Sequence, residues 1–137
     1  MILQSLSDAA VEAPFIFKKN GFYYQFISFD KCCRGLDSTY NVRVGRSKSV
    51  TGPYLDKNGV DMNHGGGSLV ISGNDNWVAL GHNSAYTFDG KDYLVLHAYE
   101  TADNALQKLR ILEMSWQGGW PTVDASDLDK NITQLIE

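Results

Sequence analysis

The stretch "EAPFIFKKNGFYYQFISF", residues 12–29, contains two apolar segments separated by a short polar turn. In the second segment, residues 22–29, aromatic and polar residues alternate, which is typical of a half-buried β-strand. Lys19-Asn20-Gly21 between the segments predicts a turn. The stretch therefore predicts a β-hairpin, with the carboxylate of Glu12 at the start of its first strand.

A similar layout recurs further along the chain. The segment "HNSAYTF", residues 82–88, meets the turn "DGKD" and continues into "YLVLHAY", residues 93–99, with Glu12 and His82 70 residues apart. Units of about four short strands that repeat at this spacing are typical of a β-propeller, which usually has four to eight blades. We expect an all-β fold with about two to two and a half propeller blades. Two similar hairpins in a β-sandwich are the alternative.

The composition indicates a folded globular chain, which we treat as a single domain, residues 1–137. Hydrophobic residues make up 43% and charged residues 20%. The net charge of −4 argues against a nucleic-acid partner, because phosphate contacts need clustered Lys and Arg. No apolar run approaches the roughly 20 residues of a membrane span. The N-terminal residues lack the pattern of a secretory signal, and the sequence leaves the compartment open.

The only two cysteines, Cys32 and Cys33, are adjacent in the chain. Neighbouring cysteines rarely bridge to each other, and the chain offers no other partner, so we expect no disulfide. We therefore interpret Cys32 and Cys33 as two small residues in a tight loop. A metal role would need further ligands that "KCCRG" does not supply.

Several motifs in the same order resemble a known enzyme family. Residues 12–54, "EAPFIFKKNGFYYQFISFDKCCRGLDSTYNVRVGRSKSVTGPY", precede "GGGSLVIS" and "GHNSAYTFDGKDYLVLHAY". Together they are similar to the C-terminal half of endo-1,5-α-L-arabinanases of glycoside hydrolase family 43. The resemblance implies a five-bladed β-propeller with a substrate cleft across its central funnel. It also implies hydrolysis of α-1,5 links in arabinan with inversion of configuration.

The resemblance gives Glu12 a role, because the Glu of "EAP" is the general acid in that family. Inverting hydrolysis needs one protonated carboxylic acid for the leaving oxygen and an ionised carboxylate, roughly 6.5–9.5 Å away, to activate water. The apolar neighbours Ala13, Pro14 and Phe15 predict a buried setting that favours the neutral acid. From the residues alone, a solvated carboxylate ahead of a strand is the alternative.

His82 matches the His of "GHNS", which in the family lies in the central channel and holds a metal ion, usually calcium, largely through water. Asn83 and Ser84 are candidates to orient the imidazole or the waters. Cys32 and Cys33 complete the set of candidate substrate-contacting or supporting residues. A single His ahead of a strand is also often an ordinary hydrogen-bonded residue, and calcium prefers oxygen ligands. His64 and His97 match no motif.

The family takes its catalytic base Asp, and the Asp that orients the acid, from blades that precede the "EAP" strand. Eleven residues precede Glu12 here, so we expect the acid without its base and a weak or inactive isolated chain. Exposed blade edges predict a dimer, or a second polypeptide with the missing blades. The expected ligands are arabinan or arabino-oligosaccharides. A purely structural half-propeller is one alternative. Another is a non-catalytic arabinan-binding module with sugar-stacking aromatic residues: Phe22, Tyr23, Tyr24, Phe26, Tyr40 and Trp77.

Overall fold

The structure is a computed structural model that describes residues 10–135. Within this range the chain forms two four-stranded antiparallel sheets, in which consecutive strands are neighbours. The first sheet contains β1 (Val11–Lys19), β2 (Phe22–Phe29), β3 (Asn41–Ser47) and β4 (Ser68–Ile71). The second contains β5 (Trp77–Phe88), β6 (Lys91–Glu100), β7 (Leu106–Gln117) and β8 (Trp120–Val123). The predicted all-β fold with two blade-like units is confirmed.

Within residues 10–135, helical structure is limited to short segments. The 3₁₀ segments span Gly35–Asp37, Met62–His64, Thr101–Asp103 and Ala125–Asp129, and one short helix, α1, spans Ile132–Leu135. None of the described helices is long and apolar enough to cross a membrane.

The two hairpins that the sequence predicts are present, and their turns share one geometry. Asn20 and Gly21 have φ of 49° and 81°, and Asp89 and Gly90 have φ of 49° and 75°. Positive φ at both central residues is the requirement of the two-residue turns whose twist matches a β-hairpin. Asn, Asp and Gly tolerate this conformation, which explains why these residues occur at the turns.

The strand register gives a repeat of 69 residues, one fewer than the spacing between Glu12 and His82. Lys19 pairs with Phe22 in the first hairpin, and Phe88 pairs with Lys91 in the second. His82 therefore corresponds to Ala13 rather than to Glu12. Both residues have left-handed backbone, with φ of 51° and 52°, at an irregularity near the start of a hairpin.

The main core lies between the two sheets, where β5 packs against the first three strands. Its members include fully buried aliphatic and aromatic side chains from both sheets, among them Phe26, Val44, Leu80, Leu94 and Leu112. Four of the six aromatic residues considered for sugar stacking are also buried, with 3% exposure or less: Tyr24, Phe26, Tyr40 and Trp77. These four are structural residues and do not offer a free ring face to a sugar.

Candidate active site

Glu12 lies at the start of β1, where the pairing with β2 is irregular. Glu12 is opposite Ser28, and the register then shifts before Phe15 pairs with Phe26. Ala13, inside this irregularity, has φ of 52°. A bulge of this kind bends the strand and changes the direction of the neighbouring side chains.

The expected burial of Glu12 is not observed, because its side chain is exposed among the described residues. Alternate residues of β1 face the same way, and Pro14 and Ile16 are exposed as well. This face of β1 lines an open groove of about 400 Å³, together with Tyr54 and Asn63. The apolar residues next to Glu12 in the sequence therefore do not desolvate its carboxylate, because they lie along the strand and do not cover the side chain of Glu12.

Tyr40 holds the carboxylate of Glu12. Its hydroxyl donates a hydrogen bond of 2.8 Å to Oε2 of Glu12, and its side chain is 1% exposed. The pKa of Tyr40 is raised to about 12, mainly by burial. A hydrogen bond with Ser28 lowers this pKa, whereas the contact with Glu12 raises it. Tyr40 is therefore a neutral hydrogen-bond donor at every pH near neutrality.

The ring of Tyr40 is held in place by its neighbours. It stacks on His97 with ring centroids 5.9 Å apart and planes within 6°, and His97 stacks on Tyr99 at 5.8 Å. Gly81 lies against the same ring, where a Cβ would be 2.0 Å from Cδ2 of Tyr40. Glycine at 81 is therefore a packing requirement, and the stacked set Tyr40, His97 and Tyr99 forms the base of the site.

His82 is connected to the Glu12 strand through Ser28. The backbone N–H of His82 donates to Oγ of Ser28 at 2.8 Å, and Ser28 is fully buried opposite Glu12 in β2. The imidazole of His82 is exposed, and its centroid is 6.2 Å from that of His97. The structure therefore brings the two motifs "EAP" and "GHNS" to one end of the two sheets.

His97, which matches no motif in the sequence, is part of this cluster. Burial lowers the pKa of its imidazole, and the electrostatic effect of His82 lowers it further. A backbone hydrogen bond with Ala79 raises this pKa but does not outweigh the other two effects. His97 is therefore neutral at pH 7, and its Nδ1 has no hydrogen-bond partner among the described residues. Its position in β6, opposite Gly81, places it under Tyr40.

Asn83 and Ser84 make no hydrogen bond to His82 within the described part of the chain. Asn83 is 4% exposed, and neither oxygen nor nitrogen of its amide has a partner there. Ser84 is half-buried and pairs with Val95 across the hairpin. Their supporting role at His82 stays a prediction.

Cys32 and Cys33 form a disulfide with each other, so the expectation of two free thiols is wrong. The reason is local: Cys33 has φ of 67°, which turns the loop and brings the adjacent sulfurs together. The backbone N–H of Cys33 donates to the hydroxyl of Tyr99 at 3.3 Å. The disulfide therefore lies beside the stacked set, and its contact with substrate remains a prediction.

Residues 10–135 contain no group of three or more His, Cys, Asp or Glu side chains arranged to hold a metal. His82 offers one nitrogen, whereas calcium takes six to eight ligands, which are oxygens in most sites. The described side chains therefore do not complete a calcium site, and no chemical step is assigned to the ion.

The chain is similar to known proteins over most of its length. Residues 4–121 match the family profile described as "Glycosyl hydrolases family 43". The extracellular exo-alpha-(1->5)-L-arabinofuranosidase of Cellvibrio japonicus is 65% identical over 130 residues, 94% of this chain and 38% of that protein. The extracellular endo-alpha-(1->5)-L-arabinanase 1 of Bacillus subtilis is 49% identical over 113 residues, 82% of this chain and 34% of that protein. The chain thus spans little more than a third of these two relatives.

Solved structures lead to the same family. The alpha-L-arabinanase of Cellvibrio cellulosa in complex with arabinohexaose superposes with a TM-score of 0.85 at 68% identity, over 87% of this chain and 38% of that chain. The two sheets are thus blades of a partial propeller, and the β-sandwich alternative is excluded. This chain belongs to glycosyl hydrolase family 43.

Proposed function

We propose that this chain supplies the proton-donating part of an enzyme that hydrolyses α-1,5-L-arabinofuranosyl links in arabinan with inversion. The observation that carries the proposal is the position of Glu12: the carboxylate of the "EAP" motif sits at a strand bulge and accepts a hydrogen bond from buried Tyr40. The names of the two curated relatives support arabinan, or its oligosaccharides, as the substrate class.

In the proposed reaction, Glu12 gives its proton to the glycosidic oxygen while the bond from that oxygen to the sugar carbon breaks. The electron pair stays on the leaving oxygen, and a water molecule attacks the opposite face of the sugar. The carboxylate that activates this water is proposed to lie outside the described residues. Because Glu12 is exposed, the bound sugar itself would supply the desolvation that favours the neutral acid.

An exo-acting enzyme is a second candidate, because the relative at 65% identity carries the name of an exo-arabinofuranosidase. An endo-acting enzyme releases oligosaccharides of mixed length from linear arabinan at early times. An exo-acting enzyme releases one short product throughout. Chromatography of the early products separates the two.

We also propose a calcium ion near His82 that is held mainly through water. A calcium-dependent rise in melting temperature that EDTA reverses, and that His82→Ala abolishes, would support this site. His64→Ala is the matched control, since His64 is also exposed but lies in the 3₁₀ segment Met62–His64, beside Asp61. The same calcium response in the His82→Ala variant would contradict the proposal.

The test of the proposed function measures cleavage of linear arabinan and arabino-oligosaccharides by the chain, with and without azide. Azide attacks without needing a base, so the reaction then depends on the acid. We expect Glu12-dependent cleavage that Glu12→Gln reduces by about 10²–10⁴-fold, the usual value of general acid catalysis. No cleavage by the unchanged chain in the presence of azide would contradict the proposal. Arabinan binding without cleavage, unaffected by Glu12→Gln, would identify a binding module.

A further inference from the structure

We infer that Tyr40 is a positioning residue for proton transfer by Glu12, and that it assigns the transferable proton to Oε1 of that carboxyl group. This inference rests on the proposed function, because it concerns the same acid. It adds a residue from the loop that precedes β3 to the proton-donating apparatus.

One of the two carboxyl oxygens of Glu12 carries the transferable proton. A neutral carboxylic acid has one hydroxyl oxygen and one oxygen that only accepts hydrogen bonds. The hydroxyl of Tyr40 donates to Oε2 at 2.8 Å, and Tyr40 keeps its proton near neutral pH. Oε2 is therefore the accepting oxygen, and the proton that goes to the leaving group is on Oε1.

The hydrogen bond from Tyr40 to Glu12 changes during the reaction. When the proton leaves Oε1 for the glycosidic oxygen, Glu12 becomes a carboxylate and the Tyr40 bond becomes charge-assisted. Such bonds are roughly twice as strong as neutral ones. The contact is thus stronger after proton transfer than before it, which is the condition for lowering a barrier and not merely binding substrate.

The side chain of Tyr40 is held rigidly by its surroundings. This side chain is 1% exposed and its ring stacks on His97. Gly81 lies so close to the ring that a Cβ there would be 2.0 Å from Cδ2 of Tyr40, and the hydroxyl also forms a hydrogen bond with Ser28. The groups that can interact with its hydroxyl by charge or hydrogen bonding are Glu12, Ser28 and Tyr99. A hydroxyl held this firmly also holds the orientation of the otherwise exposed carboxyl group.

The catalytic test compares two leaving groups in the presence of azide. Arabino-oligosaccharides need a proton on the leaving oxygen, whereas a dinitrophenyl arabinofuranoside has a leaving group that departs without one. For Tyr40→Phe we expect kcat on oligosaccharides to fall by about 10- to 100-fold, part of the usual effect of a general acid, with KM little changed. On the dinitrophenyl substrate we expect less than about a threefold loss. Similar losses on both substrates would overturn the inference and indicate a structural role.

The matched control is Tyr24→Phe. Tyr24 is also 1% exposed and also donates its hydroxyl to one acceptor, the carbonyl of Gly119, but that acceptor lies in the turn between β7 and β8. This variant should affect both substrates equally and weakly. A loss confined to oligosaccharides in the control as well would contradict a specific role for Tyr40.

A second measurement does not depend on cleavage. The ¹³Cζ resonance of labelled Tyr40 at neutral pH, assigned with Tyr40→Phe, should shift in Glu12→Gln because the charged acceptor is lost. Asp89→Asn, which removes an exposed carboxylate at a hairpin turn, should leave it in place. An unchanged resonance in Glu12→Gln would overturn the inference. If the resonance shifts but the unchanged chain cleaves neither substrate, the proposed function is wrong, and so is the catalytic role of Tyr40. The hydrogen bond between Tyr40 and Glu12 is supported in that case.

Discussion

At the scale of single residues, Glu12 influences the ionisation of Tyr40. Burial raises the pKa of Tyr40 to about 12, and the negative charge of Glu12 contributes to the rise. Glu12→Gln removes that charge, so we expect the pKa of Tyr40 to fall. Tyrosinate absorbance, with the contribution of Tyr40 identified by Tyr40→Phe, measures the change. An unchanged titration of Tyr40 would contradict the contact.

The raised pKa of Tyr40 also makes a prediction about stability. A folded-state pKa above the unfolded value of 10.0 means that the folded protein holds this proton more tightly. The stabilisation is complete below pH 10 and is lost as the pH rises from about 10 towards about 12. In chemical unfolding, Tyr40→Phe should lose less stability over this range than the unchanged chain. Parallel curves would contradict the prediction.

Gly81 tests the packing that supports Tyr40. A Cβ at this position would be 2.0 Å from the ring of Tyr40, which is buried and cannot move aside. We expect Gly81→Ala to lower the free energy of unfolding by about 3 kcal/mol, measured with urea. Gly90→Ala is the control, since its new Cβ meets nothing within 4 Å and only the positive φ of 75° is unfavourable, a cost of about 1 kcal/mol. Equal losses would contradict the role of the ring contact.

Glu12 and His82 could be singled out from the sequence because each lies in a short contiguous motif. The contact of Tyr40 with Glu12 and any role for His97 could not be predicted, because they depend on how β5 packs across the first sheet and on which residues of β5 and β6 face each other. The disulfide between Cys32 and Cys33 was missed for a different reason. It depends on the left-handed backbone of Cys33, which the residue types in the loop do not indicate.

At the scale of elements, Asp92 joins the two sheets. Its carboxylate, 4% exposed, accepts hydrogen bonds from Thr87 and Trp116 and forms a salt bridge of 2.6 Å with Lys19 at the end of β1. Burial works to raise the pKa of Asp92, but the contacts with Lys19, Thr87 and Trp116 prevail and lower it. An ionised, fully partnered carboxylate is therefore part of the contact between the blades.

Asp92→Asn should lower the free energy of unfolding at pH 7 by about 1–3 kcal/mol, reduced from the usual cost of breaking a buried pair because Lys19 is partly exposed. Because the folded-state pKa is lowered, the stabilisation is present above the unfolded value of 3.8 and is lost as the pH falls below it. The two chains should thus converge in stability as the pH falls below 3.8 and through the lowered pKa of folded Asp92. Glu113→Gln, at the more exposed pair with Lys91, should have little effect. A constant difference across this pH range would contradict the account.

The hairpins could be predicted from the sequence because alternating residues and Asn-Gly or Asp-Gly turns specify them locally. The 69-residue repeat could not be predicted, because the bulges in β1 and β5 change the alignment and no residue type in the sequence indicates them. The bulges are also where Glu12 and His82 lie. Local irregularity and candidate function coincide in both blades.

At the scale of the whole molecule, the face of β1 that carries Pro14 and Ile16 is uncovered by the described residues, and Ile16 is 41% exposed. The equivalent residues of β5, Asn83 and Ala85, are buried. We therefore expect association through the β1 face, most simply as a dimer, which light scattering at micromolar concentration measures. Ile16→Asp should favour the monomer, whereas Leu109→Asp, on an exposed site of β7, should not. A monodisperse monomer in the unchanged chain would contradict this prediction.

At every scale the molecule's features converge on Glu12 as the proton donor: the bulge, the Tyr40 contact and the family motif all include it. The most direct test measures azide-assisted cleavage of arabino-oligosaccharides and of a dinitrophenyl arabinofuranoside by the unchanged chain and by Glu12→Gln. We predict that Glu12→Gln loses the first reaction by about 10²–10⁴-fold and keeps most of the second. Equal rates for the two chains on oligosaccharides would contradict the claim that Glu12 donates the proton.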